Sequence, residues 1–146
     1  MRSVPETIRT SEDLAAHLDH LAEGVVFQQS DVGDELDEVA DQLRAAFDLS
    51  QPAAVFGHPV VYVVSSDAML GRTGAGNAMV AAGLLSAART LAAEMRRNGV
   101  PVNVLGIGDD TPSETIATWV SLLLEQGGPT GELVQLGGSQ IGKALP

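Results

Sequence analysis

VVYVVSSDAMLGRTGAGNAMVAAGLLSAARTLAAEMRRNGVPVNVLGI, residues 60–107, decides the fold. It opens on Val60-Val61-Tyr62-Val63-Val64, a continuous apolar and mostly β-branched run. Such a run fits a strand in a sheet covered on both faces. A long helix is predicted over residues 76–98. Val80, Leu84, Ala88, Leu91 and Met95 recur at helical spacing and form one apolar stripe. Ala81, Ala82, Gly83, Ala87 and Ala93 keep its other faces smooth, so another helix can approach closely. Arg96 and Arg97 suit the negative end of the helix dipole. Gly99-Val100-Pro101 then turns into a second apolar strand, residues 102–107. Strand, helix and strand of this kind make a parallel β-α-β unit with a right-handed crossover.

The rest of the chain repeats the alternation. A first helix starts near Thr10 or Ser11, where either hydroxyl can cap free N–H groups and Glu12 and Asp13 favour the positive helix end. Leu14, Leu18 and Leu21 give it a one-sided stripe, and Gly24 suits its end. Residues 24–28 read as a short buried strand. A second helix spans residues 34–47, with Leu36, Val39, Leu43 and Phe47 as its apolar stripe and an acidic opposite face. Pro52, Gly57 and Pro59 punctuate the loop after it. Thr111-Pro112-Ser113-Glu114 reads as a capping box that opens a further helix with proline at its first position. Ile116, Val120, Leu123 and Leu124 face inward, Gly127-Gly128 stops that helix, and residues 132–136 form a last strand. The expectation is an α/β fold: a partial Rossmann-like three-layer sandwich of about four mostly parallel strands flanked by helices. Residues 1–9 are expected to be a loose arm, and residues 10–146 one domain.

Composition narrows the function. The 146-residue chain is 45% hydrophobic, enough for one core, but only 3% aromatic, so Ala, Val, Leu and Ile must fill it. A net charge of −11 argues against nucleic acid and against an anionic membrane, because both demand clustered Lys and Arg. The absence of cysteine excludes disulfides and thiolate metal sites. No signal-peptide pattern and no long apolar run stand out, so a soluble cytoplasmic protein is expected.

Residues 83–94, GLLSAARTLAAE, followed by Gly99-Val100-Pro101-Val102-Asn103-Val104, resemble the short-chain dehydrogenase/reductase family. There they are the catalytic helix and the next strand. The bacterial 3-oxoacyl-thioester reductases are the most similar in style. Residues 60–64 followed by Ser65-Ser66 look like the strand that delivers the family's catalytic serine. Thr130-Gly131-Glu132 and then Gly137-Gly138 look like its closing strand. The resemblance runs from about Val25 to Gly138.

The departures matter more than the likeness. The family opens with a strand and a glycine-rich turn whose N–H groups approach the dinucleotide pyrophosphate. No such turn exists here. The chain begins where the family's fourth helix would be, so the first three strands and the nucleotide-binding half are expected to be missing. The family also uses Tyr to exchange a proton with the substrate, and Lys to lower the Tyr pKa and hold the cofactor ribose. Anchoring on Gly83-Leu84 places Asn77 at the Tyr position and Ala81 at the Lys position. The 71–77 loop is about one residue short, so Asn77 could instead precede a deleted Tyr. Asn is no general acid near neutral pH, and Ala carries no charge. The only Tyr, Tyr62, lies in a strand, and the only Lys, Lys143, in the tail. Ser66 remains as a remnant. Gln28-Gln29-Ser30-Asp31 stands where the family has Asn-Asn-Ala-Gly, Ile107-Gly108 replaces Pro-Gly, and Thr111 could match the nicotinamide-side threonine, one residue early.

Several side chains invite a sharper reading. Ser65 and Ser66 could hold a carbonyl or acyl group; the simpler expectation is that they bond local backbone. His17 and His20 lie one helical turn apart but lack an evident third ligand, so no metal is expected. Gly71, Gly74 and Gly76 precede a helix, the context for anion binding, without GxGxxG spacing. No catalytic residue and no cofactor are expected. The candidate ligand cleft comprises Gln28, Gln29, Ser65, Ser66, Asn77 and Thr111 at the strand C-termini. In the family the helices matching 34–47 and 76–98 form the dimer interface. The expectation is therefore a homodimer or higher oligomer through them, or a heteromer with a complete reductase or dehydratase.

Overall fold

The run at residue 60 is the central strand of a five-stranded parallel sheet. The structure, a computed structural model, describes residues 8–18 and 24–137. In chain order the strands are β1 (Ile8–Arg9), β2 (Val25–Gln28), β3 (Val60–Ser65), β4 (Val102–Ile107) and β5 (Leu133–Gln135). They lie side by side in that order, all parallel. Val61 pairs with Val26 on one side and Asn103 on the other. The helices are α1 (Glu12–His17), α2 (Leu36–Val55), the short α3 (Ser66–Met69), α4 (Ala75–Met95) and α5 (Ser113–Glu125).

Alternation along the strands builds two cores. Phe27, Val60, Tyr62, Val64, Val102 and Val104 meet α2 and α4. Val26, Val61, Val63 and Leu105 meet α1 and α5, through Leu14, Leu18, Ile116 and Val120. The faces of the helices fix the hands of the crossovers. Strand order rises steadily, α2 and α4 lie on one face, and α1 and α5 lie on the other. A parallel crossover on one face has the opposite hand to one on the other when both move in the same direction. Two of the four crossovers are therefore left-handed, whereas roughly 98% of such units are right-handed. With α2 and α4 in the common hand, the unusual ones are β1-α1-β2 and β4-α5-β5.

Several expectations are corrected. The sheet has five strands, not about four, because Ile8 and Arg9, read as the end of an arm, pair with Val26 and Phe27. Helix α2 runs through Pro52 to Val55. A proline inside a helix costs roughly 3 kcal/mol, and here it falls in the last turn of α2, beside the buried Ser50, Ala53 and Ala54. The sheet-facing stripe of α2 is Val39, Gln42, Ala46, Ser50 and Ala53, so Leu36 and Phe47 point out, at 67% and 64% exposure. Helix α4 ends at Met95, and Arg96–Asn98 is a 3-10 turn. The capping box does not form: Pro112 takes the cap position of α5 without a side-chain bond, and the Thr111 hydroxyl accepts the N–H of Gly108 instead. Ser11 does cap α1, accepting from Leu14. Leu21, His20, Gly138 and Lys143 lie outside the described residues.

Candidate functional site

The expected cleft lies at the C-terminal ends of β2, β3 and β4, and the structure divides it. Gln28, Gln29, Ser65 and Thr111 line a crevice of about 280 Å³ with Ile107, Gly108 and Asp109. Ser66 and Asn77 are outside it and buried, at 1% and 5% exposure.

Each polar head is engaged by the fold. Gln28 Oε1 accepts the N–H of Ser11 at 2.8 Å, tying β2 to the turn before α1. Gln29 Oε1 accepts from the Ser65 N–H at 3.1 Å, and its Nε2 donates to the Asn77 carbonyl at 2.8 Å. One side chain thus joins the end of β3 to the start of α4. Ser65 Oγ caps α3, accepting from Ala68. Ser66 Oγ donates to Gln135 Oε1 at 2.7 Å, across Gly106. A Cβ at Gly106 would stand 2.6 Å from that Gln135 oxygen, so glycine is what lets the pair meet. Ser65 thus follows the local-bonding reading, whereas Ser66 bonds a side chain of β5 and no local backbone.

Asn77 is the most heavily bonded. Its Oδ1 accepts the Val32 N–H at 2.9 Å, and its Nδ2 reaches Asp31 Oδ1 at 3.2 Å and the Thr73 carbonyl at 3.0 Å. The loop between β2 and α2 therefore folds over the first turn of α4. Asp34 Oδ1 accepts the Gly76 N–H at 3.2 Å. The helix end that the glycines offered to an anion already holds a carboxylate of the chain. Ala81, one turn on, is fully buried in the core under α4.

Three site features escaped sequence reading. Gln135 lies 69 residues from Ser66, with no pattern linking them. Gln42 bonds both the N–H and the carbonyl of Ser30, fixing the 28–31 turn; it sits in an acidic helix where nothing sets it apart. The approach of Gly76 to Gly33 is also hidden, although the glycine was visible. Among the described residues no three His, Asp or Glu side chains gather to hold a metal ion. His17 Nδ1 lies 2.8 Å from the Asp13 carbonyl in its own helix.

No family model matches the sequence, and no curated protein does. Solved structures do match in shape. The 3-hydroxyacyl-CoA dehydrogenase type-2 from Mycobacterium avium superposes with a TM-score of 0.68 at 14% identity, over 94% of this chain and 76% of that one. An oxidoreductase (short chain dehydrogenase/reductase) from Brucella ovis gives 0.65 at 15% identity, over 80% and 69%. The TT0495 protein from Thermus thermophilus gives 0.60 at 22% identity, over 77% and 67%. The chain has a short-chain dehydrogenase/reductase-like fold. Identities this low carry the fold alone, and the chemistry has to be argued from the side chains above.

Proposed function

We propose that this chain is a non-catalytic relative of the short-chain dehydrogenase/reductases that acts by associating with other chains. The observation that carries this reading is Asn77. At the position the resemblance gives to the catalytic tyrosine stands a buried amide, bonded to Val32, Asp31 and Thr73. At the lysine position stands Ala81, in the core. Neither can move a proton, and the loop over Asn77 leaves no room for a substrate carbonyl to reach it. The turn after β1, Arg9-Thr10-Ser11-Glu12, has no glycine and opens a helix whose first turn is acidic, which disfavours a pyrophosphate.

The association face is the outer side of α2 and α4. Helix α4 with its 3-10 turn is long and apolar, yet only 33% of its apolar stretch is buried. Between Ala75 and Ala93 its one charged residue is Arg89. Beside it Phe47 stands exposed at the rim of an apolar crevice of about 300 Å³ walled by Leu43, Ala46, Leu84, Ala87 and Leu91. A knob and a hole on one surface suit a two-fold contact between copies. With a charge of −11, like chains meet with least repulsion where charges are sparse, and this crevice carries only Glu94 among its lining residues. A homodimer is the favoured arrangement; a heteromer with a complete reductase or dehydratase of acyl-thioester metabolism is the alternative, resting on resemblance. We place the protein in the cytoplasm as a soluble chain.

The test is NADPH titration by calorimetry with light scattering of the same sample. No binding at micromolar NADPH and a dimer mass are expected. Phe47→Glu should weaken the dimer at least about tenfold, since buried aromatics commonly dominate interfaces. Micromolar NADPH binding would overturn the cofactor-free reading, and a strict monomer the association reading. A second reading, favoured by the 280 Å³ crevice, is a small-molecule binder that holds a carbonyl or acyl ligand with Gln28, Gln29, Ser65 and Thr111. Acyl-thioesters raising the Tm would support it.

A further inference from the structure

The hand of the first crossover points to an unfilled position in the sheet. Helix α1 packs on the α5 face, with Leu14 and Leu18 against Ile116 and Val120. From that face, a right-handed crossover out of β1 would lead to a strand on the outer side of β1, away from β2. The chain turns the other way, into β2. In a doubly wound sheet of order 3-2-1-4-5-6, strand 1 neighbours strand 4. If β2 is the fourth strand, as its Gln28-Gln29-Ser30-Asp31 turn implies, β1 stands in place of the first. That revises the matching of this region to the family's fourth helix: a first strand and helix are kept, and the place beside them belongs to the second strand.

Among the described residues nothing fills that place on the α2 side. Among the described residues β1 pairs with β2 alone. Helix α2 forms the far wall of a trough that runs along the edge, about 590 Å³ beside Ile8, Arg9, Ala45 and Leu49. It continues at Arg9 and Asp41 into a further 760 Å³ or so over the strand ends. Ile8 turns toward the α1 face, and the Arg9 guanidinium lies over the Phe27 ring, 5.9 Å from its centroid. The α2 wall presents Asp41 and Asp48, neither in an ion pair among the described residues. Glu38 and Asp31 line the continuation, where they accept from the Gly33 N–H and Asn77 Nδ2, so four carboxylates and the two guanidiniums of Arg9 and Arg44 line the two cavities together.

We propose that the β1 edge and this trough take an extended, basic segment of a partner protein, added to the sheet as a further parallel strand. Backbone pairing with β1 would give register, and alternate side chains would enter the trough, where lysines meet Asp41 and Asp48. A two-residue strand is a short template, so the charged trough supplies much of the affinity, and binding weakens with salt. This interface does not depend on the α2/α4 face and survives whether or not the chain dimerises there.

The full chain, isotopically labelled, is titrated with a seven-residue peptide alternating lysine and valine, and with its glutamate–valine counterpart. Expected are amide shifts at Ile8 and Arg9 and along residues 41–49 with the lysine peptide alone, and at least about tenfold weaker binding for D41K/D48K. Equal binding of both peptides, shifts confined elsewhere, or no shifts at millimolar peptide overturn the proposal. So does hydrogen-exchange protection of Ile8 and Arg9 that rises with chain concentration, because the occupant would then be a second copy.

Discussion

Asn77 accepts the backbone N–H of Val32 through its side-chain oxygen at 2.9 Å, which pins the β2–α2 loop to the first turn of α4. A bond made by a buried side chain to a loop amide leaves that amide stranded when the side chain goes. Asn77→Ala should therefore destabilise by about 1–3 kcal/mol, with the loop amides of residues 31–34 losing exchange protection. Urea denaturation with hydrogen exchange checks both.

The same geometry predicts that reductase chemistry cannot be restored by substitution. Tyr at position 77 would have to displace the loop, and Lys at position 81 would put a charge into a fully buried site of the core. An unpaired buried charge costs several kcal/mol or is neutralised. N77Y/A81K should show no NADPH oxidation and a lower urea midpoint than A81M, which fills the same space without charge. A measurable turnover would contradict this account.

Glycines 76 and 83 should separate in their response to alanine. A Cβ at Gly76 would lie 2.0 Å from the Gly33 carbonyl oxygen, a backbone atom that cannot move without the loop. At Gly83 it would lie 2.9 Å from Leu43 Cδ2, the end of a side chain that can rotate. Alanine in a helix gains up to about 1 kcal/mol over glycine in either place. Gly83→Ala should therefore be near neutral, and Gly76→Ala should destabilise by about 1–3 kcal/mol. Thermal unfolding of the two variants side by side checks the order.

Tyr62 should contribute to the loss of stability in alkali. Burial raises its pKa, and its hydrogen bond to Ser50, 2.6 Å long, pulls more weakly the other way. The folded chain therefore keeps the phenol protonated above pH 10.0, the ordinary value at which tyrosine in an unfolded chain ionises. Above that pH the unfolded state binds fewer protons than the folded one, so stability falls as pH rises. The contribution is fully present below pH 10 or so and is lost as pH climbs through the folded value. Tyr62→Phe should lose about 1 kcal/mol at neutral pH and show a shallower decline between pH 10 and 12 in urea titrations.

How far the sequence could be read follows from which forces are local. The central strands and α4 were legible because β-branched runs and helical spacing are short-range signals, and Val60–Ser65 and Val102–Ile107 sit where they predict. β1 was not legible: two residues carry no period, and only pairing with Val26 and Phe27 makes them a strand. Helix α2 has apolar residues on two faces, so spacing alone joined the outward Leu36 and Phe47 to the buried Val39 and missed the small inward residues Ala46 and Ala53. Of the cleft, the residues were named but not their grouping, because Gln29 meets Ser65 and Asn77 only after the β-α-β units fold.

The pair of Ser66 and Gln135 offers the sharpest test of an inert serine. The hydroxyl is buried and donates to a side chain of β5, so it supports the sheet edge and does not face the crevice. Ser66→Ala and Gln135→Ala should each cost about 1 kcal/mol, and the double variant less than their sum, because one bond is lost in all three. A coupling of about 0.5–1.5 kcal/mol in a double-mutant cycle is expected. If Ser66 instead served a ligand, Ser66→Ala would abolish the Tm rise given by an acyl-thioester while Gln135→Ala left it intact. Equal effects of the two variants on that rise, with coupling in stability, place the serine in the scaffold.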